Sequence, residues 1–225
     1  MINIKDLGKI AVLVDFDGTI TRQDTNDLLI ERYGNEKTRS IEKKYENRKL
    51  NSLDFFKKIF FEINMTEKEY LDFILNNFEI TEGFIEFYNS LRSNNIPISI
   101  ISGGIENGIL PFLRNHGINE IEVYANRIVF SENQMNVEFY DGDNPYIDCS
   151  KSDPCGNCKA RHYRRYKEMY DTVVFIGDGT TDRCVAEVAD IVFAKNSLLE
   201  YCKVNNIEHI PWTDFNDISN LILVR

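Results

Sequence analysis

Stretches able to cross a membrane are missing from this 225-residue chain: no apolar run approaches the ~20 residues a bilayer demands. The opening Met1-Ile2-Asn3-Ile4-Lys5-Asp6 has no basic segment leading into a sustained apolar one, so no secretory leader is expected there and the chain reads as cytoplasmic. Positive charge is scarce too. With 26 Lys and Arg against 36 Asp and Glu, the net charge is -10 and the pI about 4.9, which leaves no broad basic surface for nucleic acid or anionic lipid. An anionic substrate therefore needs a local positive site, such as a bound divalent cation with one or two well-placed lysines. Cysteines number only five (Cys149, Cys155, Cys158, Cys184, Cys202), an odd set gathered late in the chain and unlike the disulfide framework of a small secreted domain. Low-complexity tracts are absent. Histidine is limited to three, of which His116 and His209 stand alone in apolar or turn surroundings and are read as structural.

What is present is a recurring pattern in which an apolar run ends in polar residues and glycine. Ile10-Ala11-Val12-Leu13-Val14 leads into Asp15-Phe16-Asp17-Gly18-Thr19, and Pro97-Ile98-Ser99-Ile100-Ile101 into Ser102-Gly103-Gly104. Thr172-Val173-Val174-Phe175-Ile176 leads likewise into Gly177-Asp178-Gly179-Thr180-Thr181-Asp182. Val/Ile-rich runs without alternation belong to strands buried on both faces, and ligands of open α/β sheets gather where such strands end. From residue 81, helical patterns near 82–94, 105–115, 159–169, 181–189 and 197–205 alternate with apolar runs at 97–101, 121–124, 172–176 and 190–194. That alternation predicts a parallel sheet covered on both faces. Residues 126–140 read as an appended β-hairpin around Ser131-Glu132-Asn133. Between the first two loops, residues 21–80 lose strand-like runs. Phe55, Phe56, Ile59, Phe60 and Ile63, then Tyr70, Leu71, Ile74, Leu75 and Phe78, recur at helical spacing, with starts at Asn51-Ser52 and a capping box at Thr66-x-x-Glu69. About four helices are expected there as a separate insert, with the core formed by 1–20 and 81–225.

If the three strands are parallel neighbours, their loops share one sheet edge and describe a metal-assisted phosphate site. Asp15 is the candidate nucleophile, forming an aspartyl-phosphate that divides one displacement into two. Asp17 is the candidate acid and base, since side chains two residues apart on extended chain project to one side. Asp178 and Asp182, with Asp15 and the Asp17 carbonyl, make an oxygen-rich nest suited to Mg²⁺. Ser102 and the amides of Gly103 and Gly104 are candidates to hold the equatorial phosphate oxygens. Lys159, opening a helical stretch, is the candidate ammonium for nucleophile and phosphate. Any one of these loops alone is ordinarily a turn; three in this order, each after a buried strand, are not.

Cys155-x-x-Cys158 admits other readings. A thioredoxin-like pair would follow a strand, but Tyr146 to Pro154 reads as loop. The Pro-Cys-x-x-Cys half of a zinc-deaminase signature has no His-x-Glu upstream. A structural zinc on Cys149, Cys155, Cys158 and His162 has acceptable ligand types but irregular spacing, and a loop carrying thiols is preferred. Arg161, Arg164, Arg165 and Lys167 read as a solvated helix face.

Asp15-Phe16-Asp17-Gly18-Thr19-Ile20, Ser102-Gly103-Gly104, Lys159 and Gly177-Asp178-Gly179-Thr180-Thr181-Asp182 together resemble the four motifs of the haloacid dehalogenase (HAD) superfamily, over essentially the whole chain. The resemblance implies a Rossmann-like three-layer core, a C1-type helical cap at 21–80, and a Mg²⁺-dependent phosphatase for a small phosphorylated metabolite. Within the superfamily the chain is similar to the phosphoserine-phosphatase-like branch. Cys155-Gly156-Asn157-Cys158-Lys159 and Gly177 to Glu187 carry a nearer likeness to the methionine-salvage phosphatases of 2-hydroxy-3-keto-5-methylthiopentenyl 1-phosphate. Asp24 falls where phosphoserine phosphatases have an acid that contacts the substrate amine. Phosphoserine hydrolysis and a non-catalytic binding protein on the same fold are the alternatives. A dehalogenase has no need of Asp17, because a halide leaves without a proton, whereas a phosphomutase would use the same residues.

Overall fold

Strand β1 (Ile10–Val14) is buried throughout and pairs in parallel with β2 (Ile98–Ile105) on one side and β5 (Thr172–Gly177) on the other. The computed structural model describes residues 7–142 and 153–222. Within them β3 (Glu122–Ser131) continues the sheet beyond β2, and β6 (Ile191–Ala194) and β7 (Ile210–Pro211) continue it beyond β5. β4 (Gln134–Glu138) is antiparallel to β3, giving the order β4-β3-β2-β1-β5-β6-β7 among the described residues.

Alternate side chains of β1 enter two different apolar layers. Ile10, Val12 and Val14 join Phe84, Phe87 and Phe112 on one face, from helices α5 (Phe84–Ser93) and α6 (Glu106–Asn115). Ala11 and Leu13 join Tyr163, Tyr166, Val185 and Leu198 on the other, from α7 (Lys159–Lys167), α8 (Arg183–Ala186) and α9 (Asn196–Val204). Each large apolar side chain withdrawn in this way stabilises the fold by roughly 1.5–3 kcal/mol. The result is the expected three-layer α/β arrangement.

Residues 21–80 are helical as their spacing predicts: α1 (Thr25–Tyr33), α2 (Glu36–Glu46), α3 (Ser52–Glu62) and α4 (Glu67–Asn77). Asp24, Asn35, Asn51 and Thr66 cap them, the last with Glu69 in the expected capping box, each cap contributing on the order of 1 kcal/mol. The chain leaves and returns at adjacent points. Thr21 and Ile80 form an isolated antiparallel bridge, and Thr81 N donates to the Ile20 carbonyl at 2.7 Å. Phe60, Met65 and Tyr70 share one apolar cluster with Met135 and Phe112, so α3 and α4 lean on β4 and α6. A Cβ on Gly108 would stand 2.8 Å from the Tyr70 hydroxyl, which is why α4 and α6 approach so closely.

Three local expectations change. The run at 121–124 and the first hairpin arm are one strand, β3, whose start pairs with β2 and whose end pairs with β4. Ser102-Gly103-Gly104 belongs to β2 itself, in a stretch where its pairing with β3 skips register between Ile101 and Ile105. The helix expected at 181–189 is a tight turn at Thr180–Asp182 followed by the short α8, because the Asp182 carboxylate folds back onto the Asp178 and Gly179 amides. β7 and the final helix α10 (Phe215–Ile222) lie beyond the alternation seen in the sequence. Among the described residues no helix is long and apolar enough to cross a membrane.

Candidate active site

Asp15 extends from the end of β1, its amide bonded to the Ile176 carbonyl of β5 at 2.9 Å. Phe16–Ile20 then forms a tight buried turn through Gly18, whose φ of 71° lies in the left-handed region. A side chain there would also come within 2.6 Å of the Asp178 carboxylate, so glycine is required twice over. Thr19 Oγ1 donates to Asp178 Oδ1 at 3.2 Å. The first and last motifs thus meet directly.

The second motif closes on both. A Cβ at Gly104 would stand 2.2 Å from Asp17 Oδ2, and one at Gly103 would stand 3.7 Å from Thr181 Cγ2. Ser102 is fully buried, and its hydroxyl accepts from the Gly104 amide at 2.9 Å. The three strand tips therefore share one edge, as the sequence pattern implies.

Lys159, the first residue of α7, is only 2% exposed, yet its ammonium lies 2.6 Å from Asp15 Oδ1 and 2.6 Å from Asp182 Oδ1. Asp182 Oδ2 accepts from the Asp178 and Gly179 amides, both at 2.9 Å, which fixes that carboxylate. Carboxylate oxygens of Asp15, Asp178 and Asp182 all lie within 4.8 Å of one another. Burial, followed by Asp182, holds the Asp15 carboxyl well above the usual carboxylate range despite Lys159. Asp178 is raised as well, chiefly by burial, while the Asn196 amide works against the rise. Three carboxylates against the paired Lys159 ammonium, with the Lys195 ammonium beyond hydrogen-bond reach, still leave an excess of negative charge among hard oxygen donors. That donor set fits Mg²⁺.

Asp17 points elsewhere. Its Oδ1 accepts from the Thr25 amide at 3.0 Å and from the Thr25 hydroxyl, and its Oδ2 from Asn26 Nδ2 at 3.4 Å. Burial and the neighbouring Asp24 push its pKa up to about 7, against the Thr25 bonds. Asp24 caps α1, accepting from the Asn26 and Asp27 amides at 2.9 Å, and burial and Asp27 push it up to about 6. Its carboxylate therefore has a structural task that the sequence did not disclose.

Several residues at this edge escaped sequence reasoning. Asn196 Nδ2 donates to Asp178 Oδ2 at 3.1 Å. The Lys195 ammonium sits 4.0 Å from the Trp212 ring centroid, its pKa lowered by burial. Both follow the apolar run of β6, the same signal that marked the other strand tips. Thr25 and Asn157 carried no comparable signal.

Asp15, Asp178 and Asp182 form the one cluster of three acidic, histidine or cysteine ligands close enough to share an ion among the described residues. Cys149 lies outside them. The Cys155 thiol hydrogen-bonds that of Cys158, which pushes the Cys158 pKa down to about 6. His162 is engaged by Asn157 at 2.7 Å. The helix face of Arg161 and Lys167 is paired as well as solvated, with Asp141 and Asp190 respectively. His116 and His209 bond backbone carbonyls, in keeping with structural roles.

A family model described as haloacid dehalogenase-like hydrolase matches residues 12–187. A 2-hydroxy-3-keto-5-methylthiopentenyl-1-phosphate phosphatase of Bacillus cereus (strain ATCC 10987 / NRS 248) is 31% identical over 213 residues, 94% of each chain. Among solved structures, a HAD family hydrolase from Salmonella enterica serovar Typhi superposes with a TM-score of 0.72 at 15% identity, covering 97% of this chain and 72% of that one. A substrate-bound phosphoserine phosphatase superposes with a TM-score of 0.68 at 19% identity, covering 96% of this chain and 98% of that one. These two likenesses concern the fold alone. With its four motifs gathered at one sheet edge and the family model spanning most of its length, the chain belongs to the haloacid dehalogenase-like hydrolase family.

Proposed function

We propose that this protein is a Mg²⁺-dependent phosphatase that passes the phosphoryl group of a small phosphorylated metabolite first to Asp15 and then to water. The observation that carries the reading is the buried ion pair of Lys159 with Asp15 and Asp182 at 2.6 Å, beside a third carboxylate at Asp178. Asp15, Asp178 and Asp182, with the Asp17 carbonyl, are the residues that would hold the ion. Bound there, Mg²⁺ would offset the repulsion between a carboxylate nucleophile and a phosphate dianion.

Asp15 attacks phosphorus and the ester oxygen departs with a proton from Asp17; Asp17 then takes a proton from the water that opens the aspartyl-phosphate. The separate hydrogen bonding of Asp17, to Thr25 and Asn26 rather than to Lys159, supports this division of labour. Lys159, Ser102, Gly103 and Gly104 hold the transferring group. Helices α1 to α4 serve as the cap that selects the substrate, a reading supported by the adjacent points at which residues 21–80 leave and rejoin the core. The substrate we favour is 2-hydroxy-3-keto-5-methylthiopentenyl 1-phosphate, on the strength of the 31% identical relative. Phosphoserine, in which Asp24 would meet the amine, has fold likeness alone behind it. A cytoplasmic setting belongs to the same proposal, supported by the odd number of cysteines gathered late in the chain.

The test is turnover of both phosphate esters by wild type and by Asp15→Asn. We expect the enol phosphate to be preferred, and the folded variant to show no Mg²⁺-dependent hydrolysis of either; substantial turnover by the variant would refute the nucleophile assignment.

A further inference from the structure

We propose that Asn157, braced by His162, is a positioning residue for the reaction: it ties the start of the Lys159 helix to the strand tip that carries Ser102. The inference rests on the phosphatase reading above for its chemistry and on hydrogen-bond geometry for its substance.

The need for such a residue follows from the register skip between β2 and β3. Where the two strands part, the carbonyls of Ser102 and Gly103 receive side-chain donors. Asn157 Nδ2 donates to the Ser102 carbonyl at 2.9 Å and to the Tyr124 carbonyl at 2.8 Å, and Asn126 Nδ2 donates to the Gly103 carbonyl at 2.7 Å. A buried carbonyl left without a donor is unfavourable, so these amides hold the tip in its parted shape.

Asn157 is 3% exposed and its amide orientation is fixed. Both Nδ2 hydrogens go to backbone carbonyls, which only accept, so Oδ1 faces His162 Nε2 at 2.7 Å and that nitrogen must carry the proton. The imidazole stacks on Tyr124, with centroids 4.5 Å apart, and its Nδ1 is buried without a partner among the described residues. One side chain therefore spans β2, β3 and α7. Two residues further on, Lys159 reaches Asp15 and Asp182. A shift at Asn157 moves the ammonium relative to the nucleophile and the Ser102 tip together.

The experiment compares purified wild type with Asn157→Ala, His162→Leu and His162→Gln, using p-nitrophenyl phosphate in Mg²⁺ buffer, inhibition by inorganic phosphate, and the NMR signal of the Lys159 ammonium. In Asn157→Ala we expect kcat to fall and the phosphate inhibition constant to rise, each by roughly 10- to 100-fold. The slowly exchanging ammonium signal should be lost. His162→Gln, which keeps an N–H for Asn157, should recover most of what His162→Leu loses. A purely structural role would lower turnover in proportion to the folded fraction and leave the inhibition constant alone, and that result overturns the proposal. Wild-type behaviour of folded Asn157→Ala overturns it equally. Should Asn157→Ala fail to fold, equal losses in the two His162 variants decide against it. If wild type hydrolyses no phosphate ester, the phosphatase reading fails, and the ammonium signal alone still decides the positioning role.

Discussion

Gly104 of β2 and Asp17 of the first loop are so closely opposed that a single methyl group on the glycine would stand 2.2 Å from the carboxylate. No L side chain fits there unless the Asp17 carboxylate, held by Thr25 and Asn26, shifts from its place. Gly104→Ala is therefore expected to remain folded while losing at least tenfold in kcat, since a displacement of about 1 Å at a reacting group costs on that order or more. Unaltered kcat in this variant would mean that Asp17 need not keep its present position.

Lys159 is ion-paired with two carboxylates in a place almost closed to solvent. Replacing it with methionine leaves the carboxylates of Asp15 and Asp182 without the ammonium they share. The metal-free protein should lose about 3–5 kcal/mol of unfolding free energy, as buried charges do when one partner is removed. Urea denaturation measures this, and wild-type stability in Lys159→Met would contradict the electrostatic account of the site.

Metal removal is the complementary test. Exhaustive chelation should abolish turnover, and Mg²⁺ at 100 times its Kd should raise unfolding free energy by about 2.7 kcal/mol. Asp178→Asn, which removes one carboxylate of the triad, should lose most of that gain. Thermal melts that ignore Mg²⁺ in wild type would dispose of the proposed ion site.

The His162 pKa is pushed down to about 4 by burial; Arg165 and Arg161 add to the effect and Asp141 opposes it. An unfolded chain binds this proton near pH 6.5. Between those values the unfolded state holds more protons than the folded one, so stability rises with pH across the window. The contribution is complete above pH 6.5, drains away as pH falls toward 4, and amounts to about 3 kcal/mol at most. An NMR titration of the His162 ring checks this directly; a midpoint at or above 6 contradicts it.

Much of the site was legible because each strand announces itself twice, by an unbroken apolar run and by the glycines and carboxylates that end it. Asp15, Asp178 and Asp182, whose carboxylate oxygens the structure gathers within 4.8 Å of one another, were legible this way, and Lys159, paired with two of them, by its position at a helix start. Ser102-Gly103-Gly104 misled in one respect: glycines suggested a loop, yet they continue β2, because neighbouring asparagines replace the missing ladder bonds. Such substitution depends on which strands part company, a matter of pairing partners more than twenty residues away. Asn126 and Asn157 were illegible for that reason. Asp24 carried an ambiguity of another kind, since a carboxylate immediately before a helix suits a cap as well as a ligand, and the structure uses it as a cap.

β1 is hydrogen-bonded along both edges, to one strand about ninety residues later and to another about 160 residues later. Asp15 at its tip thus meets the Lys159 ammonium and the carboxylates of Asp178 and Asp182 only when distant stretches of chain have closed around it. The candidate site is divided between the two halves of the polypeptide, with Asp15, Asp17 and Ser102 in one and Lys159, Asp178 and Asp182 in the other. Turnover consequently serves as a readout of completed long-range assembly, which no measure of helix content could supply.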